Sequence, residues 1–118
     1  MVDSNALEIT QGNSAVIDIT PLDGETGNPI RLNDGEKVLF TIKTPMGHFK
    51  LQKTLTNADY DNQEDDSLNC VLDPDDTIDW GSGTYLYDCL LITQTEAITF
   101  ISSTFTVKKA LGKYTDAR

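Results

Sequence analysis

Short runs of alternating apolar and polar residues are the feature that most constrains the fold of this chain. Side chains of a β-strand point alternately to its two faces, so each run indicates a strand with one buried face. In the run HFKLQ, the alternation places Phe49 on the apolar face together with Leu51. The clearest runs are SAVIDIT (14–20), KVLFTIK (37–43), HFKLQ (48–52), NCVLD (69–73) and STFTVKK (103–109).

Turn-forming sequences separate these runs at fairly regular intervals. They are rich in Gly, Pro, Asn and Asp, which preset a turn or tolerate positive φ, and they read TPLDGETGNP, LNDGE, TPMGH, DNQEDDS and GSG. The one helical candidate is DPDDTIDW, where Asp73 can cap and Pro74 suits the first helical position, and it is long enough for one turn. Seven to eight short antiparallel strands joined by turns predict an all-β protein, either a two-layer sandwich or a barrel.

Length and charge narrow the class of protein further. The chain has 118 residues, enough for one domain, which we expect to span residues 1–110 with a tail or linker at 111–118. Its formal net charge of −10 disfavours binding to nucleic acid and to anionic membranes. No apolar run approaches the roughly 20 residues that cross a bilayer, and the first residues do not form a signal peptide. We therefore expect the protein to mature in the cytoplasm.

The most apolar segment, GSGTYLYDCLLI (81–92), predicts a central strand. Its alternation places Tyr85 and Tyr87 inward, where we expect them to share one core with Phe40 and Phe105. Asp88 falls on the opposite face, and a lysine or a backbone N–H is its expected partner, because a buried lone carboxylate is costly. Carboxylate catalysis needs a second positioned group, which the sequence does not supply at strand spacing. We interpret Asp88 as structural.

Few residues suggest catalysis or metal binding. His48 is the sole histidine and lies at a predicted turn tip, so neither a catalytic triad nor a zinc site can be assembled around it. The acidic segment 59–66 lacks the glycine and the closing Glu of the helix–loop–helix calcium motif, which favours a solvated loop and leaves a weak cation site as the alternative. We predict that the protein is not an enzyme and has no catalytic residues, metal or cofactor.

Three other side chains leave alternatives open. Cys70 and Cys89 both point inward in the strand pattern, which favours two buried free thiols, and a disulfide between them is the alternative. Trp80 precedes the Gly-Ser-Gly turn. Buried, it would plug one end of the fold, and exposed, it would be a candidate partner contact.

The segment GTYLYDCLLI also resembles a known signature, Gly-x-Tyr-x-Tyr-Asp-x-x-Leu, carried here by Gly83, Tyr85, Tyr87 and Asp88. It is the signature of an Ig-like domain found in tail and baseplate proteins of phages and prophages of Gram-positive bacteria, best known at the N-terminus of baseplate upper proteins. Further stretches agree in order over residues 8–110, with Ser103 and Cys89 standing where the family usually has a glycine and an aliphatic residue. They are ITQGNSAVIDI, NDGEKVLFTIKT, CVLDPDDTIDWGSGTYLYD and AITFISSTFTVKKAL.

The resemblance implies an immunoglobulin-like β-sandwich with a structural role. Such a domain anchors a fibre or receptor-binding part to the tail tip through contacts with other tail or baseplate subunits, and it would form a homo-oligomer in the assembly. The protein would be assembled in the host cytoplasm and end in the virion. The alternative is a carbohydrate-binding or adhesive Ig-like module of a bacterial surface protein, which should show two or three exposed aromatic side chains along a groove.

Overall fold

A computed structural model describes residues 5–23, 25–60 and 66–111 of the chain. Within them the fold is mostly β, as the alternation predicts. The seven strands of this part are β1 (Leu7–Thr10), β2 (Ala15–Ile19), β3 (Lys37–Lys43), β4 (Phe49–Leu55), β5 (Leu68–Leu72), β6 (Gly83–Ile92) and β7 (Ala97–Lys108). The same residues contain one α-helix, α1 (Pro74–Thr77), which is one turn long, and a 3₁₀ turn at Asn57–Asp59.

The strands form two sheets. Five strands lie in the order β1-β7-β6-β3-β4, and β2 pairs with β5 in a separate two-stranded sheet. The expectation of antiparallel pairing throughout is wrong for one pair, because β1 runs parallel to β7, with Leu7 opposite Phe105. Sequence patterns missed β1, since LEIT is only four residues long and its burial is partial.

Buried side chains from both sheets belong to one hydrophobic cluster, so the sheets face each other across a single core. The prediction that Phe40, Tyr85, Tyr87 and Phe105 share a core is confirmed. Phe40 lies with its ring centroid 5.3 Å from that of Tyr87 and 6.4 Å from that of Phe105. Such tilted and edge-on ring pairs are favoured by the aromatic quadrupole.

The predicted inward position of Phe49 is wrong because β4 contains a bulge. Ile42 of β3 pairs with Leu51, but the next residue, Lys43, pairs with Phe49, which leaves Lys50 as an extra residue. A bulge of this kind reverses the alternation of side chains beyond it. Phe49 therefore shares the outer face with Lys43 and is exposed.

The short helix α1 forms the corner between β5 and β6. The backbone N–H of Asp73 donates to Asp76 Oδ2 at 2.8 Å, and Pro74 stands at the first helical position, as expected. The corner is tied to the segment after β1, because the buried hydroxyl of Thr77 accepts from the Gly12 N–H at 3.0 Å. Gln11 Nε2 also donates to the carbonyl of Ile78 at 3.0 Å.

Candidate functional site

The segment that carries the sequence signature lies in β6, the central strand of the larger sheet. Gly83 opens the strand with φ +149°, a backbone conformation that side-chain-bearing residues rarely adopt. Tyr85 is buried, and its hydroxyl donates back to the carbonyl of Gly81 at 2.8 Å. The start of β6 is thereby fixed to the corner that precedes it.

Trp80 is 7% exposed and packs inside this corner. Its ring centroid lies 5.0 Å from that of Tyr85 and 6.3 Å from that of Phe105. The Lys50 ammonium lies over the Trp80 ring, 5.3 Å from the centroid, and covers it from the side of the β4 bulge. The interior alternative for Trp80 is confirmed, and in this structure the side chain offers little surface to a partner.

Tyr87 is also buried, and its hydroxyl donates to the backbone carbonyl of Asn5. This bond connects the centre of the larger sheet to the residues just before β1. The two signature tyrosines thus act alike, since their rings fill the core while their hydroxyls fix neighbouring backbone.

Asp88 lies half-buried on the outer face of β6, opposite Thr41 of β3 and Ser102 of β7. A cleft of about 200 Å³ lies here, and Lys43 and Leu86 also line it. Within the described residues no ion pair or hydrogen bond to the Asp88 side chain is found, so the expected partner is missing. The carboxylate does not need one, because it keeps contact with solvent. The cleft offers one carboxylate, one lysine and several hydroxyls for polar contacts, and it holds no second carboxylate to pair with Asp88.

The two cysteines are buried and unpaired, as the favoured interpretation predicts. Burial raises the pKa of Cys70 to about 11 and that of Cys89 to about 12. Cys70 adds to the shift at Cys89, and both side chains belong to the same buried cluster. Thiolates are the reactive form of cysteine, so these groups are poor nucleophiles in the folded protein.

His48 is exposed in the turn between β3 and β4, as predicted; its carbonyl accepts from the Thr44 N–H at 2.8 Å. Most of the acidic segment 59–66 lies outside the described residues. In the described part of the chain, no group of three or more His, Cys, Asp or Glu side chains is arranged to hold a metal ion. Over the same residues, no helix is long and apolar enough to cross a membrane.

Two sets of exposed apolar side chains were not recognised from sequence. One lies at the β3–β4 turn and the adjoining outer face of the larger sheet and contains Met46, Phe49 and Leu86. The other is the pair Val16 and Val71 on the outer face of the smaller sheet. The alternation could have identified three of these residues, because Val16, Val71 and Leu86 each lie between two inward-pointing residues of their strand and therefore point outward.

Comparison with known proteins adds no family assignment. No protein-family model matches the chain, and a search of curated proteins gives no significant match.

Proposed function

We propose that this chain is a non-enzymatic assembly domain of a phage or prophage tail baseplate protein. In this role it anchors a fibre or receptor-binding part through contacts with other tail or baseplate subunits. The observation that carries the proposal is the signature segment from Gly83 to Asp88, together with the ordered resemblance over residues 8–110. The position of this segment in the central strand supports it, because the domain is organised around β6.

The strand order supports an Ig-like β-sandwich. In that fold strands G, F and C are neighbours in one sheet, while strands B and E lie in the other. The same arrangement results if β2, β3, β5, β6 and β7 are taken as strands B, C, E, F and G, with β4 beside C. The β2–β5 pair then corresponds to B–E.

A second feature of Ig-like domains has a counterpart here. Many of them have a tyrosine near the start of strand F whose hydroxyl bonds to backbone a few residues upstream. Tyr85 occupies this position in β6 and donates to the carbonyl of Gly81. The inter-sheet disulfide of antibody domains has no equivalent, because Cys70 and Cys89 are free.

The chemistry of the described residues supports a binding role over catalysis. The thiols have pKa values of about 11 and 12, which disfavours the thiolate at neutral pH. The outer-face cleft has Asp88 as its single carboxylate. A carbohydrate-binding role receives less support, because Phe49 is the one aromatic among the strongly exposed large apolar side chains of the described residues.

Deletion of the coding segment from the phage or prophage that carries it tests the proposal. After induction, particles should have filled heads and tails that lack the tail-tip structure by negative-stain electron microscopy, and complementation should restore it. Particles with intact tail tips and full infectivity would contradict the proposed role. A glycan array with the purified domain tests the alternative, which predicts binding to a defined sugar.

A further inference from the structure

Exposed apolar residues lie on both outer faces of the domain. An exposed lysine belongs to the first set, and two exposed aspartates lie beside the second. We call the first set the lysine patch, formed by Lys43, Met46, Phe49 and Leu86. We call the second the valine patch, formed by Val16 and Val71 with Asp18 and Asp73 beside them. Because the two sheets share one core, the patches lie on opposite sides of the molecule.

The lysine patch is built on three adjacent strands. Lys43 of β3 is paired with Phe49 of β4 on one side and with Leu86 of β6 on the other. The β4 bulge is what brings Phe49 to this face, where it is 63% exposed, and Met46 lies in the adjoining turn. The half-buried Asp88 borders the patch in the outer-face cleft. Aromatic side chains and methionine are enriched in protein interfaces and lysine is depleted, so Phe49 and Met46 are the residues of this patch that favour an interface.

Most of the lysine patch comes from a long acid-free stretch of an acidic chain. Residues 37–58 contain four lysines and no acidic residue, so all nineteen acidic residues of the protein lie elsewhere. Two of these lysines have contacts within the domain: Lys53 pairs with Asp76 at 3.0 Å, and Lys50 lies over Trp80. Lys43 is exposed on the outer face, and the ion pairs of the described residues do not include it.

The valine patch is the outer face of the two-stranded sheet. Val16 and Val71 are direct cross-strand partners, 62% and 51% exposed. Asp18 lies two residues beyond Val16 on the same face, and Asp73 lies two residues beyond Val71. Both aspartates are exposed, so the patch presents two adjacent valines between carboxylates.

We propose that the lysine patch of one copy docks on the valine patch of a second copy of this chain. Docking of like patches would bring two copies of Lys43, or two copies of Asp18 and Asp73, into one interface, and like charges in one interface repel. Docking of unlike patches joins apolar surface to apolar surface and lysine to aspartate. Because the contact joins two different patches, it is heterologous. Each copy keeps one patch open, so association continues to a ring or a filament.

This inference specifies the copy-to-copy contact of the proposed assembly role. Its test uses the purified domain alone and is independent of where the protein lies in a phage particle. The copy-to-copy contact can therefore be refuted while the tail-tip role holds, and it can be supported while the tail-tip role is refuted. The variants are Phe49→Glu, which adds an acid to the lysine patch, and Val71→Glu, which adds an acid to the valine patch. Leu111→Glu adds the same charge at an exposed apolar residue outside both patches and is the matched control.

Sedimentation velocity over a concentration series up to about 1 mM should show wild type and Leu111→Glu forming species larger than a dimer. Each patch variant alone should associate at least about tenfold more weakly, as expected for loss of a central apolar anchor. An equimolar mixture of Phe49→Glu and Val71→Glu should give a 1:1 dimer and nothing larger, because one working patch remains on each partner. The mixture also shows that both variants are folded, and the milder Phe49→Ser and Val71→Thr replace them if either is not.

Several results would overturn the proposal. These are a wild type that stays monomeric to about 1 mM, patch variants that associate as strongly as Leu111→Glu, and folded variants whose mixture does not pair. Loss of association in only one of the two patch variants would show an isologous contact through that patch and would also contradict the heterologous arrangement.

Discussion

Phe40 shows at the scale of one residue how the two sheets are held together. Its side chain is fully buried in β3 and lies against rings from β6 and β7. The same cluster includes Cys70 and Leu72 of the smaller sheet. A cavity at this position would remove contacts on several sides at once.

We therefore expect Phe40→Ala to lower the free energy of unfolding by about 3–5 kcal/mol, the usual range for truncation of a buried aromatic residue. Urea unfolding followed by tryptophan fluorescence measures this, since Trp80 lies in the same core. Leu111→Ala, at an exposed residue, should change stability by less than about 0.5 kcal/mol. A loss below about 1 kcal/mol for Phe40→Ala would contradict the core described here.

The buried thiols make a pH-dependent contribution to stability. Their pKa values in the folded protein, about 11 for Cys70 and about 12 for Cys89, lie above the ordinary value of 9.0. Their contribution is therefore complete below pH 9 and is lost as pH rises toward 11 and 12.

A Cys70→Ala/Cys89→Ala double variant should accordingly lose less stability than wild type between pH 8 and pH 11, whatever its stability at pH 8. The two proteins share every other ionisable group, so the difference between their two curves isolates the thiols. The free energy of unfolding of each protein is measured by urea unfolding at each pH. If the two curves of this free energy against pH run parallel, the raised thiol pKa values are contradicted. A thiol reagent at pH 8 should also label both cysteines only after denaturation.

At the level of elements, alternation predicted β2, β3, β5, β6 and the second half of β7, because half-buried strands leave that pattern in the sequence. It failed where a bulge shifts the register. The extra residue at Lys50 turns Phe49 outward, and a similar shift occurs in β7, where Cys89 pairs with Ile101 but Leu90 pairs with Thr99. A bulge depends on how two strands pair, and the sequence of one strand does not encode it clearly.

The corner between β5 and β6 depends on a buried hydroxyl. Thr77 is fully buried and accepts the Gly12 N–H, which connects the corner to the chain after β1. Thr77→Val keeps the shape but leaves that buried N–H without its acceptor, so we expect a loss of about 1–3 kcal/mol. Thr84→Val, at an exposed position in β6, is the matched control. Equal stability of the two variants in urea unfolding would show that the bond contributes nothing.

For the whole molecule, composition and alternation indicated an acidic chain built mostly of strands, while the arrangement of charge on its surface required the fold. The acid-free stretch 37–58 is visible in the sequence. Its placement beside Leu86, on the side of the molecule away from Val16 and Val71, results from the strand order and from the bulge. The signature tyrosines were predicted to lie inward and do so. The partner expected for Asp88 is not found among the described residues, and its half-buried carboxylate keeps contact with solvent in the outer-face cleft.

Net charge gives a prediction for association of the whole domain. At −10, copies repel one another over distances of about a Debye length, near 10 Å at 0.1 M salt, and this repulsion weakens as salt is added. We expect self-association to be weaker at about 20 mM salt than at about 150 mM in sedimentation experiments at the same protein concentration. If self-association instead weakens as salt is raised over this range, attraction between local charges controls the association, and repulsion between the net charges does not.

The proposed assembly role places the protein at the tail tip of a phage particle, and immunogold labelling tests this position. Antibodies raised against the purified domain, coupled to gold and applied to particles induced from the bacterium that carries the gene, should label the tail tip in electron micrographs. The deletion strain provides the unlabelled control. We expect labelling at the tail tip, and labelling confined to the bacterial surface, with bare tails on every particle, would contradict the proposed role.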